Sequence, residues 1–102
     1  MQSFKVKFTE KAIENLIDIT EYLNKFSPET ALKYYNLIRE RANSLNIFST
    51  GYPLVRNERL REIGIRWTYA RNYTIFFTVD EENNIVYIES IMHSRRAYDA
   101  LL

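Results

Sequence analysis

The stretch LREIGIRWTYARNYTIFFTVDEENNIVYIESIMH, residues 60–93, decides the fold of this chain. Apolar and polar residues alternate through three blocks of it, and this two-residue period is typical of β-strands with one buried face. The blocks are separated only by the short polar connections ARN and DEENN. Because connections this short join neighbouring antiparallel strands, the stretch predicts a three-stranded meander.

The alternation also predicts which side chains share a face of the sheet. The first block divides into Ile63, Ile65, Trp67 and Tyr69 against Glu62, Arg66 and Thr68. The second block places Tyr73, Ile75, Phe77 and Val79 on one face, which leaves Phe76 as the outward ring. The third block divides into Val86, Ile88, Ser90 and Met92 against Tyr87, Glu89, Ile91 and His93. We therefore predict that His93 makes an ion pair or hydrogen bond with Glu89 at the end of this strand.

Upstream of the meander the pattern predicts one strand and two helices. The segment SFKVKF, residues 3–8, alternates as a strand and must join an edge of the sheet to bury its apolar side. Thr9 is placed to cap a first helix, and Ser27 followed by Pro28 begins a second. The apolar stripe of the first helix is Ala12, Ile13, Leu16, Ile19, Leu23 and Phe26, and that of the second is Ala31, Tyr34 or Tyr35, Ile38, Ala42, Leu45 and Phe48. Helices joined this tightly form an antiparallel hairpin.

The predicted order of elements is β-α-α-β-β-β, with a short C-terminal helix from about Arg95. This order indicates an α+β fold in which the helix hairpin packs on one face of a curved antiparallel sheet. We expect residues 1–102 to form a single domain. The other face of the sheet is predicted to be open, since the chain has no further helix large enough to cover it. Apolar side chains on an open face favour a partner that covers them.

Composition excludes several classes of protein. The chain of 102 residues has no cysteine and one histidine, which excludes a disulfide framework, a thiolate nucleophile and a cysteine-based zinc site. We therefore expect neither a metal nor another cofactor. The first residues lack the long apolar segment of a signal peptide, and no apolar run approaches the length of a membrane span. We expect a cytoplasmic protein.

The cations are unevenly distributed, although the formal net charge is only +1. Every lysine lies at or before Lys33, and every later cation is an arginine. The rigid fork of the guanidinium group suits carboxylates and phosphates. Solvation and ordinary ion pairs with acidic neighbours such as Glu58 and Glu62 are the alternative explanation for any one of these arginines.

Several short segments follow one another along the chain: SPETA at the start of the second helix, Tyr52-Pro53 in the following loop, LREI at 60–63, YTIFF at 73–77 and IMHSRR at 91–96. In this order they resemble the RelE/ParE superfamily of toxins from bacterial type II toxin-antitoxin modules. Together with the order of elements, the resemblance covers essentially the whole chain. It implies a small cytoplasmic toxin that arrests growth and is held inactive by a cognate antitoxin, whose extended or helical tail wraps around it.

Two mechanisms are known on this fold, and the resemblance favours one of them. RelE-like members are ribonucleases that cut messenger RNA on the ribosome, whereas ParE-like members bind DNA gyrase. In the ribonucleases a phosphate-binding arginine usually occupies the position of Thr74, and the ending IMHSR is closer to the V-L-H-x-R ending of ParE-like members. We therefore expect a ParE-like gyrase inhibitor, with the ribosome-dependent endoribonuclease as the first alternative. An inert homologue that acts only as a binding module is the second.

The candidate site residues differ between these mechanisms. Cutting RNA requires a base, an acid and cations at the phosphate, and Arg61, Arg71, His93, Arg95 and Tyr98 are the candidates for this chemistry, with Glu89 beside them. The binding candidates are Arg59, Arg61, Arg66, Arg71, Phe76 and Arg95. We expect Arg95, rather than His93, to be required for activity, because Arg95 falls where the family often places a C-terminal arginine and has no evident partner within the strand.

Overall fold

The computed structural model describes residues 3–101, and their side chains as far as Tyr98. The strands are β1 (Lys5–Phe8), β2 (Arg66–Ala70), β3 (Tyr73–Asp80) and β4 (Ile85–His93), and the helices are α1 (Glu10–Asn24), α2 (Pro28–Asn43), α3 (Glu58–Glu62) and α4 (Ser94–Leu101). Single 3-10 turns at Ser44–Asn46 and Ser49–Gly51 follow α2. The predicted order of strands and helices is confirmed, and α3 is an addition to it.

The four strands form one sheet in the order β1-β4-β3-β2. The last three pair antiparallel as a meander, whereas β1 pairs with β4 in parallel. A parallel pair needs a long crossover, and the hairpin of α1 and α2 is the first part of it. The meander and the edge position of the opening strand are both confirmed, but the sheet is mixed, because β1 is parallel to β4, and the expectation of a wholly antiparallel sheet is wrong.

The two long helices begin where the sequence predicts. The Thr9 hydroxyl accepts a hydrogen bond from the N–H of Ala12 at 3.1 Å, and the Ser27 hydroxyl accepts one from Thr30 at 3.2 Å. Such caps satisfy donors that the first helical turn leaves unpaired. Thr9 also donates to the carbonyl of Ile88 at 3.0 Å, so the start of α1 is tied to β4.

The core lies between this helix hairpin and one face of the sheet. It contains Ala12 and Leu16 of α1, Ile38 and Ala42 of α2, and Ile75, Phe77, Val86, Ile88 and Ile91 of the sheet. The predicted helix stripes are too wide, because Ile13, Phe26 and Phe48 are exposed by 47%, 73% and 66%. Ile13 lies beside the narrow strip of α1 that meets the sheet, and the two phenylalanines lie beyond the ends of their helices.

The segment LREI does not belong to a strand, so this part of the prediction is wrong. Asn57 caps α3 by accepting from the N–H of Leu60 at 3.2 Å, and Gly64 follows the helix with φ +83°. A capping Asn and a left-handed Gly are strong helix boundaries, and they override the alternation. Ile63 is 67% exposed as a result, and β2 begins only at Arg66.

A β-bulge changes the predicted faces of the last strand. Phe76 lies opposite Ser90 and Phe77 lies opposite Ile88, so Glu89 is an extra residue in β4. One extra residue reverses the alternation beyond it. Ile91 and His93 therefore share the helix-facing side with Val86 and Ile88, whereas Ser90 and Met92 lie on the opposite face.

The predicted contact between His93 and Glu89 is wrong for the same reason. The bulge places the two side chains on opposite faces of the sheet, and the Glu89 carboxylate instead accepts from the Thr78 hydroxyl at 2.7 Å.

The second face of the sheet is partly covered, which corrects the expectation that it is open. Val55, Phe76 and Ala97 form a small buried cluster there, against which Leu60, Ile65, Trp67 and Met92 pack. The loop before α3 runs along β2, since Val55 N–H donates to Ile65 at 3.0 Å and Trp67 N–H donates to Pro53 at 3.1 Å. The Phe76 ring points away from the long helices as predicted, but it is only 4% exposed.

Candidate functional site

A groove of about 550 Å³ lies between α1, the end of β4 and the start of α4. We call it the α1–β4 groove, and it is lined by Lys11, Asn15, Asp18, Ile19, Tyr22, Tyr73, Ile91, Met92, His93, Arg95 and Arg96. It combines apolar side chains with charged ones in a concave site, as binding sites for ligands and peptide segments do.

One face of α1 forms a wall of the groove. Lys11, Asn15, Asp18 and Tyr22 follow one another at spacings of four, three and four residues, which places them on the same side of a helix. Asn15 fixes this wall to the sheet, because its side-chain oxygen accepts the N–H of Ile91 at 3.0 Å. The neighbouring strand β1 ends opposite Ile88, so it provides no acceptor for that N–H.

The tyrosine rings at one end of the groove pack against each other and against His93. The Tyr73 ring lies edge-on to Tyr34, with centroids 5.7 Å apart, and edge-on to His93 at 5.5 Å. Burial raises the pKa of Tyr73 above its ordinary value, and the neighbouring Tyr34 and Tyr22 raise it further. The Tyr73 phenol is therefore a neutral group at physiological pH.

The groove carries an excess of positive charge. Lys11, Arg95 and Arg96 line it against the single carboxylate of Asp18. In the part of the chain whose side chains are described, none of these three cations pairs with a carboxylate within 4.0 Å. Arg95 and Arg96 both line the groove and are exposed, so they are available to an anionic partner.

His93 uses both ring nitrogens in local contacts. Its Nδ1 accepts the backbone N–H of Arg95 at 3.2 Å, and its Nε2 lies 3.2 Å from the side-chain amide of Asn72. The N–H of the intervening Ser94 donates to the Asn72 carbonyl at 2.8 Å. His93 thus connects the β2–β3 turn to the start of α4.

Of the residues predicted for catalysis, only His93 and Arg95 share this groove. Arg71 has φ +56° in the β2–β3 turn and lines a separate hollow of about 320 Å³ beside α2. Arg61 lies exposed on α3, and Tyr98 is 60% exposed on α4. Neither of these two lines the groove or the hollow.

The remaining binding candidates are also separate from the groove. Arg66 donates to the carbonyl of Tyr52 at 2.6 Å, so it fastens the loop before α3 to the sheet. Phe76 is buried in the small cluster on the second face. Arg59 is exposed on α3 with Arg61.

The sequence prediction missed the contribution of α1 to the groove and the contact of Asn72 with His93. The spacing of Lys11, Asn15, Asp18 and Tyr22 was a usable signal, because it marks a second face of α1 beside the apolar stripe. Nothing local indicated that this face meets His93, since the bulge in β4 turns that side chain toward α1.

The fold occurs in solved structures of toxin-antitoxin systems. One is titled the chromosomal ParDE TA system from P. aeruginosa, and its matching chain has a TM-score of 0.72 and 23% identity, over 89% of this chain and 96% of that one. Another is the toxin-antitoxin complex RelBE2 from Mycobacterium tuberculosis, with a TM-score of 0.62 and 20% identity, over 89% and 98%. At these identities the likeness establishes the fold class.

The family model described as the ParE toxin of the type II toxin-antitoxin system, parDE, matches residues 6–98. The chain belongs to this ParE toxin family. No curated protein that was compared with the chain matches it. Within residues 3–101, no helix has the length and apolar character needed to cross a bilayer.

Proposed function

We propose that this protein is the toxin of a type II toxin-antitoxin module and arrests growth by acting on DNA gyrase in the cytoplasm. The choice of gyrase as the target depends on the environment of Thr74. This side chain is 1% exposed and its hydroxyl lies 3.0 Å from that of Ser94. In the RelE-like ribonucleases that the chain resembles, this position usually carries the arginine that contacts phosphate.

The residues predicted for ribonuclease catalysis lie apart from one another, which also favours gyrase as the target. Ribonuclease chemistry needs an acid, a base and cations around one phosphate within hydrogen-bonding reach. Here Arg71 lines the hollow beside α2 while His93 and Arg95 line the α1–β4 groove. The ribosome-dependent ribonuclease is retained as a second candidate because His93 and Arg95 line the same groove.

The target is tested with the purified protein and by induced expression. We expect inhibition of gyrase supercoiling in vitro, and growth arrest with a DNA-damage response and intact transcripts in cells. Codon-position cuts in messenger RNA within minutes of induction, detected by primer extension, would replace gyrase by the ribosome as the target. A chain that is soluble, monomeric and without effect on growth would support the inert binding module.

The same proposal includes a cognate antitoxin that binds the α1–β4 groove through an acidic segment. The three cations of the groove pair with no carboxylate among the described side chains and provide electrostatic complementarity for an acidic segment, and Ile19 and Ile91 provide an apolar floor for an aliphatic or aromatic side chain. This location replaces the second face of the sheet, where Phe76 is already covered, as the expected docking surface.

The antitoxin is tested by co-purification with the product of any small open reading frame that lies next to the gene. The double variant Arg95→Ala, Arg96→Ala should weaken this complex by about tenfold, because it removes two cations from the groove. Arg39→Ala is the matched control, since Arg39 is an exposed arginine that contacts Tyr35 on α2. Equal affinities for the two variants would place the antitoxin elsewhere.

A further inference from the structure

Within residues 94–98, where its side chains are described, the last helix is attached to the rest of the molecule at its first turn. α4 has eight residues, and Ala97 is its one buried side chain between Ser94 and Tyr98. A helix this short is not stable alone in water, so its attachments decide whether it forms. Among the described residues, its polar attachments are the hydrogen bond from Ser94 N–H to Asn72, the bond from Arg95 N–H to His93, and the contact between the Ser94 and Thr74 hydroxyls.

The bond from Arg95 determines which nitrogen of the neutral His93 ring carries the hydrogen. Because Nδ1 accepts an N–H, it carries no hydrogen, and a neutral ring must carry its hydrogen on Nε2. That hydrogen faces the Asn72 amide at 3.2 Å. The two ends of an amide exchange by a half-turn, so Asn72 can present its oxygen to Nε2–H. Both contacts are therefore satisfied by one neutral tautomer.

Protonation of His93 is incompatible with this arrangement. A hydrogen on Nδ1 would face the N–H of Arg95, donor against donor, and the bond would be lost. The new positive charge would also stand at the N-terminus of a helix, where the backbone dipoles disfavour cations. The charged and titratable groups that share the groove with His93 are Lys11, Asp18 and Tyr22 from α1, Tyr73 from β3, and Arg95 and Arg96 from α4.

We propose that His93 is a positioning residue: its neutral imidazole caps α4 and so determines where Arg95 and Arg96 stand in the groove, and its protonation releases α4 from the sheet. The cap rests on the geometry alone, and only its consequence for partner binding rests on the proposed function. Losing a helix cap shifts a folding equilibrium by about tenfold. Acidification should therefore loosen α4 and weaken whatever binds the α1–β4 groove.

The chain provides two independent reporters for this release. Trp67 is its single tryptophan, and it packs against the cluster of Val55, Phe76 and Ala97. Release of α4 takes Ala97 out of this cluster and exposes Trp67 to water, which shifts its fluorescence to longer wavelength. His93 is the single histidine, so any imidazole titration that NMR detects belongs to it.

The experiment follows Trp67 fluorescence and amide exchange at 95–98 in the full chain between pH 8 and pH 5, the range in which an imidazole changes charge. We expect the wild type to lose protection in α4 on acidification, with the same midpoint as the His93 resonance. His93→Asn retains a side-chain oxygen as acceptor and cannot be protonated, so α4 should stay docked throughout. His93→Ala should show about tenfold faster exchange in α4 already at pH 8.

Matching pH profiles for the wild type and His93→Asn would overturn the proposal, as would an α4 that stays protected at pH 5. Thermal melts at each pH identify global unfolding, and if His93→Ala fails to fold, the wild type and His93→Asn still decide the outcome. A non-toxic chain with the expected profile would refute the proposed function and leave the cap intact. A toxic chain without the expected pH profile would support the proposed function and refute the cap.

Discussion

Replacing Phe76 by alanine distinguishes a buried ring from an exposed binding ring. Phe76 is 4% exposed and packs with Val55 and Ala97 on the second face of the sheet. Removing a buried phenylalanine side chain costs roughly 3–5 kcal/mol, the sum of lost burial and the cavity left behind. We expect the lower end, about 3 kcal/mol, because the cluster contains only three buried residues and can partly collapse.

The loss is measured by urea denaturation of Phe76→Ala beside the wild type, with the midpoint converted through the m-value. For a domain of this size, about 3 kcal/mol corresponds to a fall in Tm of roughly 12 °C or more. The matched control is Tyr69→Ala, since the Tyr69 ring lies on the same face of the sheet but is 56% exposed. This control should lower the free energy of unfolding by less than about 1 kcal/mol. A stability change below about 1 kcal/mol for Phe76→Ala would refute the covered second face.

Three further changes test other parts of the structure. Asn15→Ala leaves the N–H of Ile91 without its acceptor and should lower the free energy of unfolding by about 1–2 kcal/mol. Faster amide exchange at Ile91 is the specific measurement, and unchanged exchange would contradict the hydrogen bond. Gly64→Ala places an L residue at φ +83°, where nothing lies within 4 Å of the added carbon. We therefore expect a loss of stability of about 1 kcal/mol from backbone strain alone, measured by the same denaturation assay. A neutral or stabilising result would refute this expectation. Hydrogen bonds from the Asn83 side chain and backbone lower the pKa of Asp80, so the stability that this contact contributes is present above the ordinary carboxyl pKa and is lost as pH falls through the lowered pKa. Asn83→Ala removes the side-chain donor and keeps the backbone N–H, so it should raise the pKa of Asp80 in an NMR titration, and an unchanged pKa would show that the Asn83 side chain is not a cause of the shift.

The sequence by itself determined the elements that depend on neighbouring residues. The caps at Thr9 and Ser27 and the two-residue period of the last three blocks are local signals, because each reflects hydrogen bonds or burial within a few positions. They were sufficient for the order of strands and helices and for the helix hairpin. The same local segments also carried the resemblance to the toxin superfamily, which the family match over residues 6–98 confirms.

Only the tertiary structure decided which side chains meet. The alternation along β4 cannot reveal an extra residue, because the bulge at Glu89 exists only in the pairing of β4 with β3. Because of this one residue, the His93 side chain lies on the side of the sheet that faces α1, away from Glu89, and lines the α1–β4 groove. Phe76 was likewise assigned outward correctly, but its burial depends on Val55 and Ala97, which arrive from segments about 20 residues away on either side. Contacts of this kind depend on packing between distant segments, which no periodicity in the sequence records.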